Sequence, residues 1–280
     1  MKLRQSFVNM IGARGTSTMN NLRGVYTLWY RDILIFGRDR VHIISSITLP
    51  LLFVFVFGIG LSARMGDLAP GINFTQFLFP GIIGMTILMS SFTAGVSVVW
   101  DREVGFLREV LIAPISRASV AMGKTLGTAT IAVIQGIIIL LFAPLVDISV
   151  SAWTVLVLLP LMLLLAISMS SLGILLATRI KSLEAFHGLM SLLMFPMVFL
   201  SGVFFPLQGL PAWMDILVKF NPVTYGIAPI RQVVLGASPD SLFSIVLFGH
   251  TMSIWEDVTM LALFAAAMIL LAMWSFGKQD

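Results

Sequence analysis

Apolar positions in this chain gather into six long windows free of Asp, Glu, Lys and Arg: 41–63, 68–100, 125–146, 148–178, 185–214 and 258–277. Each holds the roughly 20 apolar residues that carry a helix across a hydrocarbon core about 30 Å thick. The pattern predicts spans near 41–61, 78–99, 125–146, 153–177, 186–205 and 258–276, hence an all-α membrane protein with six transmembrane helices.

Two shorter segments have a different rhythm. Between Asn20 and Phe36, the residues Leu22, Tyr26, Trp29, Ile33 and Phe36 recur at alternating four- and three-residue steps on one helical face. Arg23, Thr27, Arg31 and Asp32 fall largely elsewhere. This predicts an N-terminal amphipathic helix in the membrane interface, with Tyr26 and Trp29 at headgroup depth and Arg31 toward anionic lipid. Packing on a partner subunit is the competing reading.

From Asp101 to Ala113, plotted at 100° per residue, Asp101, Arg102, Gly105, Arg108 and Glu109 occupy one arc. Val104, Phe106, Leu107, Val110 and Leu111 occupy the other, which Glu103 alone interrupts. Pro114 should stop this helix, because a residue before proline disfavours the α region. Such a helix is either a connector resting on the membrane or a docking element whose apolar arc fills a partner's groove. In the second case Glu103 would need a matching donor, since a carboxylate is costly to bury alone.

The stretch from Phe205 to Arg231 is too apolar for an ordinary loop. Pro206, Pro211 and Pro222 divide it, and Trp213, Ile216, Leu217 and Phe220 return at helical spacing after Pro211. A re-entrant pair of short helices before the last span is one reading. An interfacial helix held by Trp213 and Lys219 is the other. Ser241 to Trp255 is apolar but short and broken by Gly249-His250, so it is read as a loop rather than a seventh crossing.

Charge sets the expected orientation. Fourteen of the 17 Lys and Arg fall in 1–40, 100–124, 179–184 and after 276, leaving Arg64, Lys219 and Arg231 on the other side. The 13 acidic residues divide almost evenly, so the bias belongs to the basic residues and places both termini in the cytoplasm. The basic balance is thus an orientation signal, with no patch interleaved with exposed aromatics to suggest nucleic acid. With 58% hydrophobic and 11% charged residues, the composition excludes an ordinary soluble globule. The first apolar stretch begins only at Val41 and exceeds a signal-peptide core, so it is expected to stay as an anchor. The absence of Cys excludes disulfides and thiolate metal sites.

Candidate chemistry inside the spans is sparse. His42, His187 and His250 lie apart, so no metal site is expected, and no nucleophile–base pair suggests a membrane enzyme. Gly123-Lys124-Thr125 looks like the tail of a phosphate loop, but position 118 is Ala where that motif needs Gly, so the triplet reads as a helix start. Pro50 and Pro196 should bend their spans, and Phe195, Phe199, Phe204 and Phe205 could line a path for an amphiphile or meet lipid.

Three motifs in order resemble ABC-2 type permeases. Asp101 to Lys124, with its Arg102-Glu103-x-Gly105-Phe106-Leu107-Arg108-Glu109 core and Pro114-x-Ser116-Arg117, resembles that family's first cytoplasmic loop. Phe79-Pro80-Gly81 resembles the start of its second span, and Asn221-Pro222-Val223-Thr224-Tyr225 followed by Arg231 resembles the block before its last span. The resemblance extends over roughly Asn20 to Phe276 and is similar to daunorubicin-type drug-resistance and lipo-oligosaccharide export permeases alike.

It implies a cytoplasmic N-terminus (1–40) and a six-span transmembrane domain (41–280) in the inner membrane. Two copies, or two similar permeases, would pair with two separate ABC ATPase subunits that hold ATP and Mg, this chain carrying no cofactor. Asp101, Arg102, Glu103, Gly105, Phe106, Leu107, Arg108 and Glu109 would form the coupling helix at the ATPase contact. Trp213, Asn221, Pro222, Tyr225 and Arg231 would lie in the exit-side re-entrant segment. The expected function is export or efflux of a hydrophobic, amphiphilic or lipid-linked substrate. A passive channel or membrane assembly scaffold is the alternative.

Overall fold

The structure, a computed structural model, describes residues 2–65, 67–69, 71–105, 116–180, 182–236, 244–247 and 249–277. Helix α1 (Lys2–Arg38) is followed after Asp39 by α2 (Arg40–Leu52), which runs through a π-helical stretch, Phe53–Ile59, into α3 (Gly60–Met65). A short hairpin, β1 (Asp67–Ala69) and β2 (Ile72–Asn73), leads to α4 (Phe74–Glu103). Then come α5 (Arg117–Leu140), a 3-10 turn at Ala143–Val146, α6 (Ala152–Ala177) and α7 (Leu183–Phe199). Two short helices, α8 (Ala212–Phe220) and α9 (Thr224–Leu235), and a hairpin of β3 (Val246–Leu247) and β4 (His250–Thr251) precede α10 (Ile254–Gly277).

Local chemistry sets these boundaries. Asn73 and Gln76 form a reciprocal capping box that starts α4, while Ser116, Ser151 and Ser182 cap α5, α6 and α7 through their hydroxyls. Pro50 lacks the N–H that would continue the hydrogen-bond ladder, and the wider π turns begin three residues later at Phe53.

Five helical stretches are long and apolar enough to cross a membrane: Arg40–Ser62, Phe74–Glu103, Arg117–Leu140, Ala152–Ala177 and Ile254–Ser275. They correspond to five of the six predicted spans. The fifth prediction, 186–205, falls on α7, whose 17 residues make it a shorter apolar helix that ends in turns at 200–202. The predicted second span widens at both ends. Phe79-Pro80-Gly81 therefore lies inside α4 rather than at its start.

Helix α4 is the central post, packed against α5, α6, α7 and α9. Its contact with α6 is close because Gly95 and Gly173 face each other. A Cβ on Gly95 would sit 2.3 Å from the Phe186 ring and 2.5 Å from the Gly173 carbonyl oxygen. By contrast α2 with its π-helical continuation and α10 are mostly bare: Leu49, Leu52, Val56 and Phe57 on one, and Leu263, Leu270 and Trp274 on the other, are exposed. Those faces suit lipid or another subunit rather than water.

The segment from 205 to 231 folds as α8 and α9. The predicted apolar stripe of α8 points outward, with Trp213 64%, Ile216 55% and Phe220 83% exposed, and Lys219 pairs with Asp215 one turn back at 2.6 Å. Among the described residues of 241–255 there is a hairpin and no crossing helix.

Candidate functional site

The polar chemistry of the chain concentrates where α1, the last turn of α4 and the first turns of α5 meet. Lys124, only 1% exposed, places its ammonium 2.5 Å from an Asp101 carboxylate oxygen, 2.5 Å from the Ser97 hydroxyl and 3.8 Å from Asp32. Arg31 closes the group with contacts of 3.1 Å to Asp32 and 3.2 Å to Asp101. Two cations and two anions thus neutralise one another in a mostly buried cluster, the arrangement that makes buried charge tolerable. Burial pushes the Asp32 carboxyl above its ordinary value, with Lys124 and Arg31 pulling against that shift.

Helix α1 reaches this position because α5 offers it glycines. A Cβ on Gly123 would lie 2.9 Å from the Leu28 side chain and 3.1 Å from the Val25 carbonyl oxygen. One turn later, a Cβ on Gly127 would meet Asp32 at 3.1 Å. The tempting Gly123-Lys124 pair is therefore a helix-packing position inside α5, and Lys124 holds the protein's own carboxylates.

The three residues that end α4 each secure a different element. Asp101 holds α5 and α1 through Lys124 and Arg31. Arg102 donates to the carbonyls of Ala177 (3.3 Å) and Ile180 (2.9 Å), closing the end of α6. Glu103 accepts the Leu183 N–H at 2.8 Å and so supports the start of α7. These residues belong to α4 rather than to a separate loop helix. The chain leaves α4 through Gly105 at φ +82°, a left-handed conformation that suits glycine. Phe106, Leu107, Arg108 and Glu109 lie outside the described residues.

The aromatic face expected on α1 is divided. Val25 and Leu28 turn onto α5 beside Gly123, and Phe36 is buried, whereas Leu22, Tyr26 and Tyr30 remain exposed. Tyr26 stacks on Tyr30 with ring centres 6.0 Å apart, and the Trp29 indole N–H donates to Thr130 at 3.0 Å. Arg31 points into the ionic cluster.

At the far end of the bundle, Asn221 donates to the Met197 carbonyl at 2.7 Å and accepts the Val223 N–H. Tyr225 donates to the Lys219 carbonyl at 2.8 Å, and Pro222 is half-buried beside them. Arg231, counted from sequence among the loop cations, is completely buried in α9. It donates to the Gly202 carbonyl at 2.6 Å and lies 4.1 Å from the centre of the Phe77 ring, while Nε and one terminal nitrogen lack hydrogen-bond partners. This block ties α7, α8, α9 and α4 together, and Trp213 stands away from it on the bare face of α8.

A cavity of about 570 Å³ with a largely apolar surface opens beside the ionic cluster, its walls including Arg31, Asp39, His42, Ser97, Trp100 and Thr128. A second of about 180 Å³ shares His42, Ser90 and Thr93 with it and continues between α2, α4 and α5. The sequence places Arg31 and Asp32 off the apolar face of α1, Asp101 in the coupling helix and Lys124 at a helix start, and it does not bring these four together or reveal the cavities. The available signal was the pair of glycines at 123 and 127, which marks a close helix crossing around a lysine at the edge of an uncharged window.

The model for the family described as ABC-2 type transporter matches residues 23–235, from α1 to the end of α9 and including every charged residue of the cluster. The chain belongs to the ABC-2 type transporter family. It is 28% identical to the ycf38 protein of Cyanophora paradoxa over 270 residues, covering 94% of this chain and 92% of that one. It is 27% identical to the inner membrane transport permease YadH of Escherichia coli (strain K12), covering 75% and 82%. Nodulation protein J of Rhizobium leguminosarum bv. viciae is 25% identical over 75% and 81%. Family membership and the apolar helices together make this a membrane-embedded transport permease.

Proposed function

We propose that this ABC-2 permease is the transmembrane subunit of an ATP-driven exporter in the inner membrane, working as a dimer with two separate ABC ATPase subunits that bind ATP and Mg. Helix α7, with the turns after it, serves as the fifth of six crossings, and α8 and α9 form a re-entrant pair on the outer side. Both termini and the 106–115 loop face the cytoplasm. The cargo is a hydrophobic, amphiphilic or lipid-linked molecule, consistent with spans that carry few charges.

The observation that carries this reading is the ionic junction from which the 106–115 segment departs. A segment pushed by an ATPase moves the spans only if its base is rigidly tied to them. Asp101, Arg102 and Glu103 tie that base to α1, α5, α6 and α7 at once. Arg108 and Glu109, the charged residues of that segment, would set register on the ATPase. The exposed Tyr26 and Tyr30, with Trp29 beside them, leave α1 an aromatic strip to rest in the lipid interface while its other face holds α5.

The chain has no Cys, so a single cysteine at Arg108 is a unique probe. In membranes containing the permease and its ABC ATPase, Arg108→Cys should cross-link to the ATPase and Arg64→Cys should not. Cross-linking from neither position, in a chain that inserts normally, would contradict the proposed contact.

A further inference from the structure

Helix α10 opens with two adjacent acidic residues in opposite surroundings. Glu256 stands at the surface, where its carboxylate accepts the Ser253 N–H at 2.7 Å and meets the His250 ring at 3.2 Å. Asp257 is turned inward and completely buried, and neither of its carboxyl oxygens has a hydrogen-bond partner.

The charged and titratable groups of the surrounding elements are committed elsewhere. Tyr225 on α9 is within electrostatic reach of Asp257, but its hydroxyl donates to the Lys219 carbonyl. Lys219 pairs with Asp215 on α8, and His250 of the hairpin pairs with Glu256. Arg231, farther along α9, donates to the Gly202 carbonyl and lies over the Phe77 ring. Helices α5 and α6 also pack against α10. Helix α6 contains no Asp, Glu, His, Lys, Arg or Tyr, and Arg117 and Lys124 of α5 lie at the opposite end of the bundle, by the ionic cluster.

A carboxylate with neither a countercharge nor a hydrogen bond is too costly to keep in a dry site, and such a group takes up a proton instead. A metal cation would need several oxygen ligands, and the described residues contain no group of three acidic or histidine side chains that could supply them. Losing the proton must then be coupled to motion. When the O–H bond breaks, its electron pair stays on the carboxylate, the proton passes to water, and the remaining charge has to reach solvent. The surface is one residue away at Glu256, and a short two-stranded hairpin precedes the helix, so the first turn of α10 is the part that lifts.

We propose that Asp257 is a proton-binding site: in its acid form it lets the first turn of α10 pack against α9, and release of the proton to water frees that turn. This goes beyond the exporter reading and does not rest on an ATPase. An intramembrane carboxyl of this kind gives the far end of the bundle a sensitivity to pH that the neutralised cluster at the other end does not supply.

The test uses the full chain purified in dodecyl maltoside, which has no carbonyl group, and reads infrared absorption at neutral pH. The wild type should show the C=O stretch of a protonated carboxylic acid, shifted in D2O, and Asp257→Asn should lose it. Asp257→Leu removes both oxygens at similar volume and should lose the band too, which keeps the test decisive if the Asn variant does not fold. Asp32→Asn should retain it. Absence of the band from the wild type, as for an ionised Asp257 paired with Arg231, would overturn the proposal. So would a band that survives removal of the Asp257 carboxyl, or one abolished by sodium or potassium chloride at constant pH, which would make this a metal-cation site.

Amide hydrogen exchange reads the release. Opening that sheds one proton becomes about tenfold more favourable per pH unit. Exchange at residues 254–258 in the wild type, divided by that of the Asp257 variant at the same pH, should rise with that slope from neutral to alkaline pH. A ratio independent of pH would overturn the coupling of proton release to motion.

Discussion

The Lys124 ammonium rests on the Asp101 carboxylate, joining the first turns of α5 to the last turn of α4 across a chain separation of 23 residues. Both side chains are nearly out of solvent, at 2% and 12% exposure. Removing one partner strands the other. Lys124→Met or Asp101→Asn should each destabilise the protein by about 3–5 kcal/mol, and the double variant should recover part of that loss. Thermal unfolding of the purified protein in detergent would show it; additive losses in the double variant would mean that the two residues act independently.

Asp32 in the same cluster should behave differently. Its native pKa is raised above 3.8 chiefly by burial, so the folded state holds the proton more tightly than the unfolded chain does. The stability from this linkage is fully present below the unfolded pKa and is lost as pH rises through the raised native value. Asp32→Asn should remove that dependence. The melting temperature of the wild type should fall relative to Asp32→Asn as pH is raised from about 4, and a parallel course of the two curves would contradict the raised pKa.

Glu103 discriminates between two uses of one carboxylate. The α7 N–H it accepts requires an oxygen and not a charge, so Glu103→Gln should keep near-normal stability. Glu103→Ala should lose about 1–2 kcal/mol, as for a lost helix cap. Equal damage by both substitutions, seen only when the ATPase is bound, would instead place the charge in the subunit interface.

The close approach of α4 to α6 makes Gly95 intolerant of any side chain. Gly95→Ala must displace both the Phe186 ring and the Gly173 backbone and should cost about 1–3 kcal/mol or more. Gly188→Ala, in a helix with nothing within 4 Å, should be neutral or stabilise by about 0.5–1 kcal/mol. Unfolding midpoints of the two variants would separate these effects, and equal midpoints would contradict the packing argument.

Hydrophobic windows were enough to locate the long helices, because a bilayer requires length and apolarity whatever the neighbours are. They could not place side chains whose position depends on a partner helix. Lys124 reads as a charge at the end of a cytoplasmic segment only until Asp101 and Asp32 neutralise it, and Arg231 as a loop cation until the Gly202 carbonyl and the Phe77 ring surround it. The α1 face was misjudged for the same reason. Its apolar arc is broader than five residues, and the glycines of α5 decide which part turns inward. Glu103 seemed stranded in an apolar arc because the start of α7, which uses it, lies 80 residues away. The cavities had no signature, since serines and threonines in a membrane helix look alike whether they face lipid, another helix or a chamber.

A permease driven by a separate ATPase should carry that subunit through affinity purification of the tagged chain from its native membranes. An ABC ATPase should be recovered in a 1:1 ratio to the permease, with Mg-dependent ATP hydrolysis that the purified permease alone lacks. An intact permease recovered without an ATPase, or one that binds or hydrolyses ATP by itself, would contradict that dependence.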